Sequence, residues 1–131
     1  MFDRMHDVVD MGNGQTYIGK WLNNQPHGYG SHTWPDGRQY SGSWVNGSQS
    51  GYGVLTLTDG LQYEGAFKDG ELEGSAMLTM ISGDKYTGKF VNFTLNGRYE
   101  HEDEFGRTTA ELWIDDQFER NLTGDECMLS Y

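Results

Sequence analysis

The stretch Tyr17-Ile18-Gly19-Lys20-Trp21, YIGKW, decides the fold. Tyr, Ile and Trp favour strands, yet the central Gly19 has no side chain to pack and loosens a strand interior. Residues two apart in a strand share a face, so Tyr17, Gly19 and Trp21 form two rings with a gap between them. Stepping outward by 23 residues finds the same arrangement three more times: Tyr40, Gly42 and Trp44; Tyr63, Gly65 and Phe67; Tyr86, Gly88 and Phe90. Gly28, Gly51, Gly74 and Gly97 keep that step, as do Gly14, Gly37, Gly60, Gly83 and Gly106. Registers that share one period define an internal repeat.

The units begin YIGKWLNNQPHGYG, YSGSWVNGSQSGYG, YEGAFKDGELEGSA and YTGKFVNFTLNGRY at residues 17, 40, 63 and 86. Each reads as a strand, a loop of five or six residues, a second strand and a turn. The turns carry NG, DG, DG, SG and FG at 13–14, 36–37, 59–60, 82–83 and 105–106. Asn-Gly and Asp-Gly are strong hairpin signals because both central residues adopt positive φ. The expectation is an all-β chain: a single-layer, twisted and curved ribbon of consecutive antiparallel β-hairpins, without helices. Alternation places Tyr17, Gly19, Trp21, Gly28, Gly30, His32 and Trp34 on one face, against Ile18, Lys20, Tyr29, Ser31 and Thr33 on the other.

Both ends are degenerate. Val9 and Met11 lie two periods before Leu55 and Leu57, so residues 1–16 read as an N-terminal half-repeat cap. Residues 17–97 hold the four repeats. Residues 98–131 read as a fading fifth repeat and acidic cap, with Trp113 in register but Thr109 and Glu111 standing where Tyr and Gly belong. Terminal repeats are atypical because one side lacks a neighbour. The acidic run EHEDEF at 100–105 is expected to guard a sheet edge against further pairing.

Composition narrows the function. The 131 residues carry a net charge of −11, and from Tyr99 onward ten acids face only Arg107 and Arg120. Nucleic-acid affinity rests largely on Lys and Arg neutralising phosphates, and anionic lipid repels acidic surfaces. Nucleic acid and membrane are therefore not expected partners. Eight Tyr, six Phe and four Trp are too many aromatics for a disordered acidic tail. The one cysteine, Cys127, and the lack of an apolar leader in MFDRMHDVVDM lead to the expectation of a cytoplasmic protein. The Asn-x-Ser/Thr triplets at 46, 92 and 121 carry no weight without secretion.

The pattern Tyr-x-Gly-x-Trp/Phe, then Gly-x-Gly, then an Asp-Gly type turn at a 23-residue period resembles the MORN (membrane occupation and recognition nexus) repeat, over residues 17–97 and in degraded form over about 5–120. The resemblance implies a ribbon of hairpins with a non-catalytic role in attaching proteins to one another, as in cytoskeletal, ciliary and cell-cortex scaffolds. Departures from the pattern are local. Asn24 and Phe93 occupy the first-loop glycine position, and Tyr99 replaces the second glycine of unit four, so that hairpin should bend differently.

The candidate partner-binding residues are the aromatic ladder: Tyr17, Trp21, Trp34, Tyr40, Trp44, Tyr63, Phe67, Tyr86 and Phe90. These rings are also the only candidate core. A one-layer ribbon should leave their rim exposed to receive a partner's helix or extended segment, with the acidic third steering a basic partner. Two alternatives stay open: a structural protein self-assembling through its terminal strands, and a carbohydrate- or lipid-binding module using exposed Trp and Tyr. No cofactor and no metal are expected. His27 and His32 fall on opposite strand faces, and EHEDE lacks the spacing of a calcium loop. No nucleophile elbow, P-loop or dinucleotide fingerprint occurs, so no catalytic residues are assigned.

Overall fold

The structure, a computed structural model, describes residues 8–124. Twelve strands follow one another: β1 (Val8–Gly12), β2 (Gln15–Leu22), β3 (Gln25–Thr33), β4 (Gln39–Val45), β5 (Ser48–Thr56), β6 (Gln62–Lys68), β7 (Glu71–Thr79), β8 (Lys85–Val91), β9 (Thr94–Leu95), β10 (Gly97–Glu102), β11 (Thr108–Ile114) and β12 (Gln117–Asn121). They form one open antiparallel sheet in chain order, with β8 followed by β10 and with β9 pairing only with β8. The ribbon of consecutive hairpins expected from the 23-residue period is therefore the fold.

Two kinds of turn alternate. At one edge, Asn23-Asn24, Asn46-Gly47, Asp69-Gly70, Asn92-Phe93 and Asp115-Asp116 have positive φ at both residues, the signature of two-residue type I′ turns. The loop of five or six residues read from the sequence is thus a two-residue turn, and the strands run on through the rest. At the other edge only the glycine of each Asp-Gly-type pair has positive φ. There Gly37 N–H donates to Trp34 O at 3.0 Å and Trp34 N–H to Arg38 O at 2.9 Å, closing a three-residue loop that the other units repeat. Expecting positive φ at both residues of those pairs was correct only for Asn13-Gly14.

In units one to three the hairpin closed by the two-residue turn carries a bulge. Gly19 pairs with Gly30 and Trp21 with Pro26, so Lys20 alone faces three residues of β3; Ser43 and Ala66 occupy the same place in the next units. Such insertions bend the strand. Beyond the bend, Gly47 N–H donates to Pro26 O at 2.9 Å and Gly70 N–H to Gln49 O at 3.2 Å, tying each turn to the hairpin before it. The bulge also corrects the assignment of faces: a Cβ on Gly28, whose φ is +96°, would meet the Lys20 side chain on the outer face, away from the rings.

The core is one row of rings. Tyr17 meets Trp21 and Trp44 edge to face, at centroid distances of 5.1 and 5.4 Å, and Tyr40 meets Trp44 and Phe67 at 5.3 and 5.0 Å. Edge-to-face pairs contribute about 0.5–1.5 kcal/mol beyond area burial. The gap at glycine has a definite occupant: a Cβ on Gly30 would lie 2.0 Å from Tyr17 Oη, and one on Gly53 2.4 Å from Tyr40 Oη. Each tyrosine reaches past its neighbouring glycine to donate to the bulge carbonyl, Lys20 O or Ser43 O, at 2.9 Å. Burial pushes both phenols up to about 12, so they remain donors.

Units three and four replace the second glycine, and the tyrosine yields. Ala76 stands where Gly30 and Gly53 do, and Tyr63 donates instead to Phe93 O at 2.9 Å. In unit four that position is Tyr99, whose own hydroxyl donates to the bulge carbonyl of Lys89 and accepts from Asn96 N–H at 2.8 Å. The second strand, nine residues long in units one to three, breaks there into β9 and β10. The expected role of EHEDEF as an edge guard is overturned: β10 is paired on both sides, with β8 and β11, and among the described residues the end strands of the sheet are β1 and β12.

Candidate functional site

The nine ladder residues divide by exposure. Tyr17, Tyr40, Trp44, Tyr63, Phe67 and Phe90 are buried, while Trp21, Trp34 and Tyr86 are partly exposed. Trp44 is further held by a 3.0 Å hydrogen bond from Nε1 to Gly30 O. The equivalent Nε1 of Trp21 is buried without a partner among the described residues.

Along the ring-bearing face lies an open concavity of about 390 Å³. Trp34, Trp44, Leu55 and Phe93 supply its apolar lining, and Arg38 and Asp69 are among its charged residues. His32 stacks on Trp34 at 4.3 Å and the Arg38 guanidinium lies 5.0 Å from the Trp34 ring centroid. Arg38 is oriented by Asp36, at 2.9 Å. Burial lowers the His32 pKa, and its Nε2 is 2.8 Å from Gln15 Oε1. The concavity is open and lined by side chains of both charges beside aromatic rings.

A second cluster was missed by the sequence. His101 lies between two carboxylates, Nδ1 2.6 Å from Glu111 Oε2 and Nε2 2.8 Å from Asp84 Oδ1, with Tyr86 stacked on it at 4.3 Å. Because ionised carboxylates only accept, both ring nitrogens act as donors, which is the imidazolium form. Burial alone would lower the His101 pKa, but the hydrogen bonds that it donates to Glu111 and Asp84, with their negative charges, outweigh it and the net shift is upward. Glu111 is 6% exposed and also accepts from Thr109 Oγ1 at 3.1 Å and Trp113 Nε1 at 2.9 Å. The readable signal was paired: Thr109 in place of Tyr vacates the room that Glu111, in place of Gly, fills.

On the opposite face Tyr29 and Tyr52 are 63% and 60% exposed, and the Tyr52 hydroxyl donates to Glu64. No group of three or more His, Cys, Asp or Glu among the described residues is arranged to hold a metal ion. No helix among them is long and apolar enough to cross a membrane.

Comparison with curated proteins finds no match. The family model of the MORN repeat matches residues 17–37, 40–62 and 63–85, three consecutive units covering just over half of the chain. Unit four, with its broken second strand and Tyr99, falls outside these matches. MORN repeats are non-catalytic modules that mediate protein or membrane interactions. With the 23-residue period, the hairpin sheet and three successive matches in agreement, the chain belongs to the MORN repeat family.

Proposed function

We propose that the protein is a non-catalytic interaction module that binds an extended or helical segment of a partner protein along the ring-bearing face, in the reducing cytoplasm. The observation that carries this is the open concavity lined by Trp34, Trp44 and Phe93 together with the charged side chains of Arg38 and Asp69. Partly exposed aromatics beside a charged rim are the usual anchors of such contacts. The ladder's buried members support the site from beneath, and the contact residues are Trp34 and its surroundings.

The test uses peptides selected from a random displayed library on the intact protein. Selected peptides should lose at least about tenfold in affinity for Trp34→Ala, a loss of roughly 1.4 kcal/mol or more, and keep it for Tyr52→Ala on the opposite face. Trp34 is a rim residue, so its variant should still melt cooperatively. Binders sensitive to Tyr52→Ala and indifferent to Trp34→Ala would refute the reading. Trp44→Ala is unsuitable because it removes a buried ring and its hydrogen bond to Gly30 O.

A second reading rests on the open edges. Among the described residues β12 is exposed throughout and stands at the end of the sheet, next to β11, and sheet edges template strand addition between chains. Self-assembly through these edges would give a mass that grows with concentration in light scattering; a constant monomer mass would exclude it.

A further inference from the structure

Among the described residues the chain contains three Asn-Gly steps, Asn13-Gly14, Asn46-Gly47 and Asn96-Gly97. At such a step the absent side chain of glycine lets its backbone nitrogen approach the asparagine side-chain carbonyl carbon. Their surroundings differ. At the second step, Gly47 N–H donates to Pro26 O at 2.9 Å and Asn46 N–H to His27 Nδ1 at 3.2 Å. At the third, the Asn96 amide oxygen accepts from Asp115 N–H at 3.2 Å, Asn96 N–H donates to Tyr99 Oη at 2.8 Å, and Gly97 pairs with Trp113. At the first, both residues are exposed, and neither the Gly14 N–H nor the Asn13 side chain has a hydrogen-bond partner among the described residues.

We infer that Asn13 is a site of spontaneous intramolecular deamidation. The Gly14 nitrogen forms a bond to Asn13 Cγ, and the bond from Cγ to the side-chain nitrogen breaks. The departing nitrogen leaves as ammonia, carrying away the proton that Gly14 gives up. Water then opens the resulting succinimide at either carbonyl, giving aspartate or isoaspartate, with no other reagent. Attack requires Asn13 to leave its left-handed conformation, φ 55°, so the turn must open first. Opening is favoured here because the β1–β2 register is irregular between Asp10 and Gly12, right beside the turn, and among the described residues β1 pairs with β2 alone. Isoaspartate threads an extra carbon through a two-residue turn and would release β1 from β2. This inference stands independently of the interaction surface.

The test is peptide mapping by mass spectrometry of the intact chain held in mildly alkaline buffer, with a parallel incubation in denaturant. In the native protein Asn13 should convert at least about tenfold faster than Asn46 and Asn96, and in denaturant the three rates should converge to within about threefold. Absence of conversion at Asn13, native rates that are equal or led by another step, or the same preference persisting in denaturant would each overturn the inference. Asn13→Gln should abolish the fast native phase.

Discussion

At the scale of single residues, the spacing between ring and glycine is set by a hydroxyl as well as by a ring. Tyr17 and Tyr40 project past their glycines to reach carbonyls that the bulge leaves out of the ladder. A side chain at Gly42 would therefore strike on several sides: its Cβ would lie 2.5 Å from Gly53 Cα, 2.6 Å from Tyr52 O and 2.8 Å from Tyr40 Oη. Two of those atoms are backbone, so relaxation cannot be confined to a rotamer. Gly42→Val should destabilise the protein by about 3 kcal/mol or more, while Lys20→Ala on the outer face should stay within about 0.5 kcal/mol, both read from denaturant melts. The glycine period made the ring-bearing face legible. The hydroxyl's destination was not, because it depends on a bulge in which one residue faces three, and side-chain alternation gives no sign of that.

At the scale of elements, β8, β10 and β11 are joined by the Asp84–His101–Glu111 cluster in place of the apolar side chains that units two and three use, Leu55 and Leu78. The raised His101 pKa gives a definite sign. Its contribution is complete below the unfolded value near 6.5 and is lost as pH rises through the higher folded value. His32, whose pKa is lowered, acts in the opposite sense, its contribution falling away as pH drops below the unfolded value. The difference in stability between wild type and His101→Gln should therefore shrink as pH rises above the unfolded value near 6.5, as followed by chemical denaturation. A difference that is constant with pH would show that folding does not raise the His101 pKa. Such a cluster was hidden in sequence because its members are 10 and 17 positions apart and sit in the least regular units. The hairpins were legible wherever the turn residues kept to type. The reversal of EHEDEF from edge to interior followed from treating charge as a marker of exposure, whereas β10 carries its acids between two paired neighbours.

At the scale of the whole molecule, among the described residues every extensive contact joins strands that are neighbours in the sheet. Repeats built in this way behave as nearest-neighbour arrays. Excising residues 40–62, one full period, joins Gln39 to Tyr63 and restores each pairing one unit earlier. The shortened chain should keep its β-sheet circular dichroism and a cooperative melt at lower temperature, whereas excising half that length should abolish both. The interaction surface was legible as a face but not as a site, because the concavity arises where Asp69 and Phe93, from turns of later units, meet Trp34 of the first. Strand direction has a further, mechanical consequence. Because the strands are joined by consecutive hairpins, a pull on the two ends separates neighbouring strands bond by bond and does not slide them past one another. Each unit surrendered lengthens the chain by roughly 80 Å of extended backbone. A protein built this way gives under light tension at its ends, one repeat at a time, while the units still folded keep their rings in place.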